Sequence, residues 1–308
     1  MSSKRNGVAY RALFAGSLLA LAAAGADAQG LTCPPPNWSF TQLDALKRDG
    51  FKVPDASQRH ELALALPACL SHANPAVRDG IAFEALSAWM RGGQLDQSTL
   101  RSLRGGLLKM VARDDADGFT APFAALVLSE VARTDRLAAW MTTEERDEMV
   151  RVAALYLAKV QDYRAFDDKD GFRHGVAHGA DLALQLTLNP LTIKPQLDQL
   201  MLAVASQVSP NANHAYWAGE PDRLARPIVF AAQRNLHSEG EWRAFFAEIT
   251  NPRPLASWQA AFTSEAGLKK RHNVRAFLLS VYASASSSDD AGIRQLLTPV
   301  TAALKTVP

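Results

Sequence analysis

The chain has 308 residues, 48% apolar and 21% charged, with 33 basic against 31 acidic side chains and a formal net charge of +2. It is long and apolar enough for one large domain or two small ones. Its charges are too evenly mixed for the basic footprint that nucleic acid or an anionic membrane surface demands, so neither is expected as a partner.

Residues 1–28 read as a secretory signal peptide. Lys4, Arg5 and Arg11 precede an apolar run from Leu13 to Ala24, and Ala26-Asp27-Ala28 is a small-x-small cleavage site. The run is short for a bilayer span, and nothing later is long enough to try, so no membrane insertion is expected after cleavage. Gly30-Leu31-Thr32 before Cys33 is a poor lipobox. Residues 1–28 hold three bases and one acid, so from Gln29 onward 30 basic and 30 acidic residues balance. The expected place is the periplasm or the exterior. Residues 29–308 contain no linker-like break and read as a single domain.

The cysteines Cys33 and Cys69 are the chain's two, and in an oxidising compartment a disulfide is the simplest expectation, two buried thiols the alternative. Closing that loop would stabilise by about 3–4 kcal/mol on the chain-entropy model. Beyond them nearly everything reads as helix. Apolar residues recur at three-to-four spacing over residues 80–90, 147–160 and 274–283. Asn74-Pro75 is a cap followed by a first turn, and Thr142 with Glu145 and Ser238 with Glu241 have capping-box spacing. Gly50, Gly92 and Gly93 are stops, and Ser286 to Asp290 reads as a surface loop. Alternating β-branched runs are absent. The expected fold is all-α with about twelve helices.

An internal echo sharpens this. DDADGFTAPFAALVLSEVA begins at Asp114 and DDKDGFRHGVAHGADLALQ at Asp167, 53 positions later; Pro227 in ARPIVFAA and the stretch near Val274 extend it weakly. Such spacing predicts stacked helical hairpins, an α/α superhelix or toroid of HEAT-like build. Aligned on DGF, His174 and His178 replace Ala121 and Ala125, and Asp181 replaces Leu128. On one helix these three form a single stripe, flanked by Gly171, Gly175 and Gly179, a row that would let a ligand or another backbone approach.

Two histidines four apart can chelate zinc, with Asp181 as ligand or supporting partner, but Gly175 stands where a zinc protease carries its glutamate base. A general acid/base histidine oriented by Asp181 or Asp170 is a second possibility. A polar network gluing helices together, with Asp170 capping one, is the third. The Asp-x-Asp-Gly turns lack a calcium loop's glutamate, with Ala124 and Ala177 in its place. No metal or cofactor is expected.

Asp162-Tyr163-Arg164, DGFRHGVAHGAD, GEPDRLAR from Gly219 and HNVRAFLLSVY from His272 together resemble the bacterial family catalogued as domain of unknown function 2785. The likeness runs from about Cys33 to the end; Ala165 and Phe172 depart from its pattern, which has glycine and tryptophan there. It implies a helical-repeat domain and no particular reaction. A shorter stretch, Asn213-His214-Ala215-Tyr216-Trp217, is similar to a segment of α/α-toroid alginate lyases, from which Asn211-Ala212 departs. That likeness implies asparagine and histidine acting at a uronate with aromatic stacking on the sugar; a loop anchored by two buried rings is the other reading.

Arg223 and Arg226 with Glu220 and Asp222 read as a surface ion-pair cluster, and His60, His72 and His237 as ordinary surface positions. His272 and Arg275 share a helix face that could point into the same concavity as His174. No nucleophile elbow, P-loop or dinucleotide fingerprint is present. The expected function is a binding module with a polar cleft around residues 162–181, taking a small molecule, a glycan or a protein. Its binding candidates are Asp162, Arg164, Asp170, Asn213, Tyr216, Trp217, Arg226, His272 and Arg275. The alternative is a polysaccharide (uronate) lyase or hydrolase using His174, His178, Asp181 or His214. Convergence of these groups on a water-accessible centre would favour chemistry.

Overall fold

Helix starts follow the capping signals in the sequence. Asn74 accepts from the Ala76 amide at 2.9 Å, and Thr142/Glu145 and Ser238/Glu241 close both halves of a capping box. Gly50 and Gly93, just past helix ends, take left-handed φ values of 67° and 64°. The computed structural model describes residues 32–113, 116–210 and 213–308. The signal-peptide reading of residues 1–28 and the positions Asp114 and Asn211 lie outside them.

In chain order the helices are α1 (Phe40–Arg48), α2 (Ala56–Ala65), α3 (Pro75–Val77), α4 (Glu84–Arg91), α5 (Gln97–Val111), α6 (Thr120–Leu137), α7 (Thr143–Lys159), α8 (Gly175–Leu188), α9 (Lys194–Val208), α10 (Glu220–Gln233), α11 (Glu239–Ile249), α12 (Glu265–Ser287), α13 (Ala291–Arg294) and α14 (Leu297–Thr306). Twelve of them have eight residues or more, and the fold is all-α as expected. A 3₁₀ turn, Leu66–Ser71, follows α2, and a π-helical turn, Arg78–Phe83, joins α3 to α4. Ser286 and Ser287 belong to α12, so the surface loop read there begins only at Ser288.

Helix α6 packs on α8, α8 on α10, α10 on α12 and α12 on α14; α7 lies across α8 and α9, and α5 against α6. One connected core draws on these helices and on α4 and α11, with Trp89, Phe123, Trp242, Phe246 and Phe277 fully buried. Cys33 and Cys69 form a disulfide with Cα atoms 5.0 Å apart, Cys69 sitting in the 3₁₀ turn. Among the described residues no helix is long and apolar enough to cross a membrane.

Between α7 and α8 the chain makes a two-residue antiparallel ribbon, β1 (Phe166–Asp167) with β2 (Gly171–Phe172), pairing Phe166 with Phe172 and Asp167 with Gly171. It is too short to leave an alternation pattern in the sequence. The two DGF turns share a left-handed glycine, Gly118 at φ 76° and Gly171 at φ 72°. They then diverge: α6 starts two residues after Gly118, α8 four residues after Gly171. His174 is therefore not on the helix. It is the N-cap residue, in a left-handed conformation (φ 54°), and makes no side-chain cap bond.

Candidate functional site

Three arginines build the loop from Val160 to Gly175. Arg164 chelates Asp162, with Nε at 2.8 and 3.0 Å from the two carboxylate oxygens, and Nη2 donates to the Ala116 and Asp117 carbonyls. Arg173, 8% exposed, pairs with Asp167 at 2.7 Å and Asp170 at 3.1 Å, donates Nε–H to the Asp117 carbonyl at 2.9 Å, and lies 4.4 Å from the Phe119 ring. Arg78, fully buried on the π turn, donates to the carbonyls of Asp170 (2.8 Å) and Phe172 (3.2 Å) and to those of His72 and Ala73. The two DGF turns are thus clamped together. Asp170 serves Arg173 and does not cap a helix. Burial works to raise the Asp162 pKa, yet the Arg164 bonds hold it below the usual range. The Asp170 amide, then Arg173, lowers Asp167 likewise.

The histidine pair sits on the inner side of this loop. His174 stacks on Phe172 at 4.5 Å between centroids and donates Nε2–H to the Ala218 carbonyl at 3.2 Å. His178 meets His174 edge-on at 5.8 Å and Phe123 at 5.0 Å; it is buried, and its Nδ1 has no partner among the described residues. Burial lowers both pKa values, that of His178 far more, and His174 depresses His178 further. Asp181 is mostly buried and paired with Arg223; burial raises its pKa against the pull of that arginine. Glu220 is 2% exposed and accepts from the Ala218 amide at 2.9 Å. Glu220 is hence an interior residue and Arg223 a half-exposed partner of Asp181 on α8, while Asp222 and Arg226 are exposed, so the four do not form one surface ion-pair cluster. The space between His174, Tyr216, Glu220 and Asp162 admits no water-sized molecule. The sequence stripe is real in part, but closed.

Of the glycine row only Gly175 borders an opening; Gly171 and Gly179 meet protein. Gly175 and Gly179 face Tyr156 and Leu157 of α7, and Gly171 rests against Pro75 and Arg78.

Residues 213–217 adjoin the histidine pair. His214 stacks on Tyr163 at 5.5 Å, with Nε2 buried and unpartnered among the described residues; burial lowers its pKa. Tyr216 is 2% exposed, donates its hydroxyl to the Gln207 carbonyl at 2.8 Å and its amide to Asn273 at 2.9 Å; burial pushes its phenol up. Trp217 is 66% exposed and Asn213 is exposed, so only one of the two expected rings is buried. His272 holds the Tyr216 carbonyl at 2.9 Å. Arg275 turns instead to the Val307 carbonyl, so the two do not share a concavity. Arg226 is exposed on α10. His237 is buried and paired with Asp198 at 2.7 Å, contrary to a surface reading.

A sizeable opening borders the same loop. A cavity of about 410 Å³ sits between α5, α6, α7 and the start of α8. It is lined by the apolar Val111, Ala121, Pro122, Val152 and Val160, by Tyr156 and the half-exposed Leu155, and by the charged Arg113, Lys159, Asp162 and Arg173, of which Arg113 and Lys159 are exposed. The Tyr156 hydroxyl donates to the Gly175 carbonyl at 3.1 Å, fixing α7 to the loop. Of the catalytic and binding candidates only Asp162 reaches this cavity, together with Gly175 of the glycine row. Its lining is largely apolar where the sequence pointed to a polar cleft. The α7 row Val152, Leu155, Tyr156 and Lys159 was visible as helical periodicity, which cannot distinguish a core face from a cavity wall. Among the described residues no group of three or more His, Cys, Asp or Glu stands close enough to hold a metal ion.

The family model described as "Protein of unknown function (DUF2785)" matches residues 107–283, which span α6 to α11, most of α12 and the whole 160–175 loop. No curated protein and no solved structure matches the chain.

Proposed function

The chain belongs to the DUF2785 family, and because membership names no activity, we propose from the geometry that it is a binding module for a small molecule, held in the cavity beside the 160–175 loop. The observation that carries this reading is the cavity itself. At about 410 Å³, with a largely apolar lining and a few charged groups, it has the size and lining of a ligand site. The clamps of Arg78, Arg164 and Arg173 support it, since they make the loop a rigid wall. The leader-like residues 1–28 and the disulfide support a periplasmic or secreted location.

N-phenyl-1-naphthylamine, neutral and fluorescent in apolar surroundings, tests the reading. It should bind saturably with one-to-one stoichiometry. Ala112→Trp, at an exposed position lining the cavity, should abolish that signal without lowering the melting temperature. A non-saturable signal, or one untouched by the substitution, overturns the reading.

The enzyme alternative has one feature in its favour: exposed Trp217 beside Asn213 and His214 offers a face on which a sugar could stack. It asks His174, His178, Asp181 or His214 to reach substrate; His178 is buried, Asp181 is paired with Arg223 and the space beside His174 admits no water-sized molecule, which leaves His214. Incubation with a polyuronate should yield no unsaturated product; its appearance would install the lyase reading.

A further inference from the structure

Resting on the cavity-binding reading, we infer that the ligand is a small amphipathic anion, an apolar body bearing a single negatively charged head group. The body follows from the apolar lining of Val111, Pro122, Val152 and Val160 and from Leu155, which is left 50% exposed. The head follows from the charges of the lining. Arg113 and Lys159 both line the cavity, and among the described residues no carboxylate pairs with either side chain. The other charged groups that line the cavity among the described residues are already compensated. Asp162 is chelated by Arg164, and Arg173 spends Nε, Nη1 and Nη2 on Asp117, Asp167 and Asp170. A cationic ligand would meet two like charges, a neutral one would leave both unmatched, and an anion matches them. The histidine pair offers no rival site, because the space beside it admits no water-sized molecule.

Displacement of N-phenyl-1-naphthylamine from the full chain by decanoate, decyl phosphate, decylammonium and decanol tests the inference. Decanoate or decyl phosphate should displace the probe at a concentration at least tenfold lower than decylammonium, and lower than decanol; which of the two is stronger tells carboxylate from phosphate. In the double variant Arg113→Glu/Lys159→Glu the order of anion and cation should reverse while decanol is unchanged. Equal potency of all four ligands, or an order the double variant does not reverse, overturns the anion inference and leaves the binding reading standing. Absence of saturable probe binding overturns both.

Discussion

Arg78 donates to the backbone carbonyl of Asp170 at 2.8 Å across 92 positions of sequence. That bond joins the disulfide-tied N-terminal segment to the loop forming one wall of the cavity. It does so from a fully buried side chain whose guanidinium also lies 4.2 Å from the Phe119 ring and 4.7 Å from the Phe123 ring. A planar cation with five N–H donors suits four carbonyls and two ring faces at once. Burying it is tolerable because both terminal nitrogens are bonded to carbonyls and Asp79 sits at 2.8 Å, while Nε has no partner among the described residues.

Arg78→Met should therefore cost about 3–5 kcal/mol in denaturant unfolding, since it strands Asp79 and the carbonyls of His72, Ala73, Asp170 and Phe172. Arg78→Lys should recover little, a point charge being unable to span those acceptors. A loss under about 1 kcal/mol for Arg78→Met would show that the clamp is not what holds the loop.

The two histidines should separate in thermal and chemical unfolding. His178 is buried against Phe123, so His178→Ala should destabilise by about 1–3 kcal/mol. His174 is a half-buried cap residue at φ 54° with no cap bond, so His174→Ala should stay within about 1 kcal/mol of the parent. Equal large losses would mean that His174 is as structural as His178.

The buried His178 also sets a pH dependence. Its folded pKa lies well below its ordinary 6.5, so below about pH 6.5 the unfolded chain takes up a proton that the folded chain refuses. Stability is full above that value and falls as pH drops from it toward the depressed folded value. His174 and His214 are shifted the same way. Asp181, raised by burial, acts oppositely at lower pH. Unfolding between pH 7.5 and 5.5 should thus show a decline that is shallower in His178→Ala; identical slopes would refute the assignment.

The disulfide spans 36 positions. On the chain-entropy model, Cys33→Ser/Cys69→Ser should lower stability by about 3–4 kcal/mol, and thiol labelling of denatured, unreduced protein should find no free cysteine. Two labelled thiols in exported protein would contradict the bond.

Gly179 is required by a close approach. An added Cβ would stand 2.7 Å from Leu157 Cδ2 and 2.9 Å from Tyr156, whereas at Gly175 the nearest atom would be 3.4 Å away. Gly179→Ala should cost about 1–3 kcal/mol despite the better helix propensity of alanine, and Gly175→Ala well under 1 kcal/mol. Reversed values would show that α7 and α8 do not meet as described.

What the sequence determined by itself is what local physics determines. Helical periodicity, the caps at Asn74, Thr142 and Ser238, the stops at Gly50 and Gly93, the Cys33–Cys69 pair and the nearness of His174 to His178 all depend on a few neighbouring residues or on there being only two cysteines. The tertiary structure decided the rest. Whether a polar side chain faces a ligand or another helix depends on partners far along the chain: Arg223 closes over Asp181, Gln207 holds Tyr216, and Val307 takes Arg275 away from His272. The cavity depends on four separate segments meeting imperfectly, and apolar positions read the same in a sequence whether they fill a core or line a cleft. The loop's role emerges only from Arg78 and Arg173, whose charges look like surface charges until the carbonyls and aromatic rings that bury them are brought alongside.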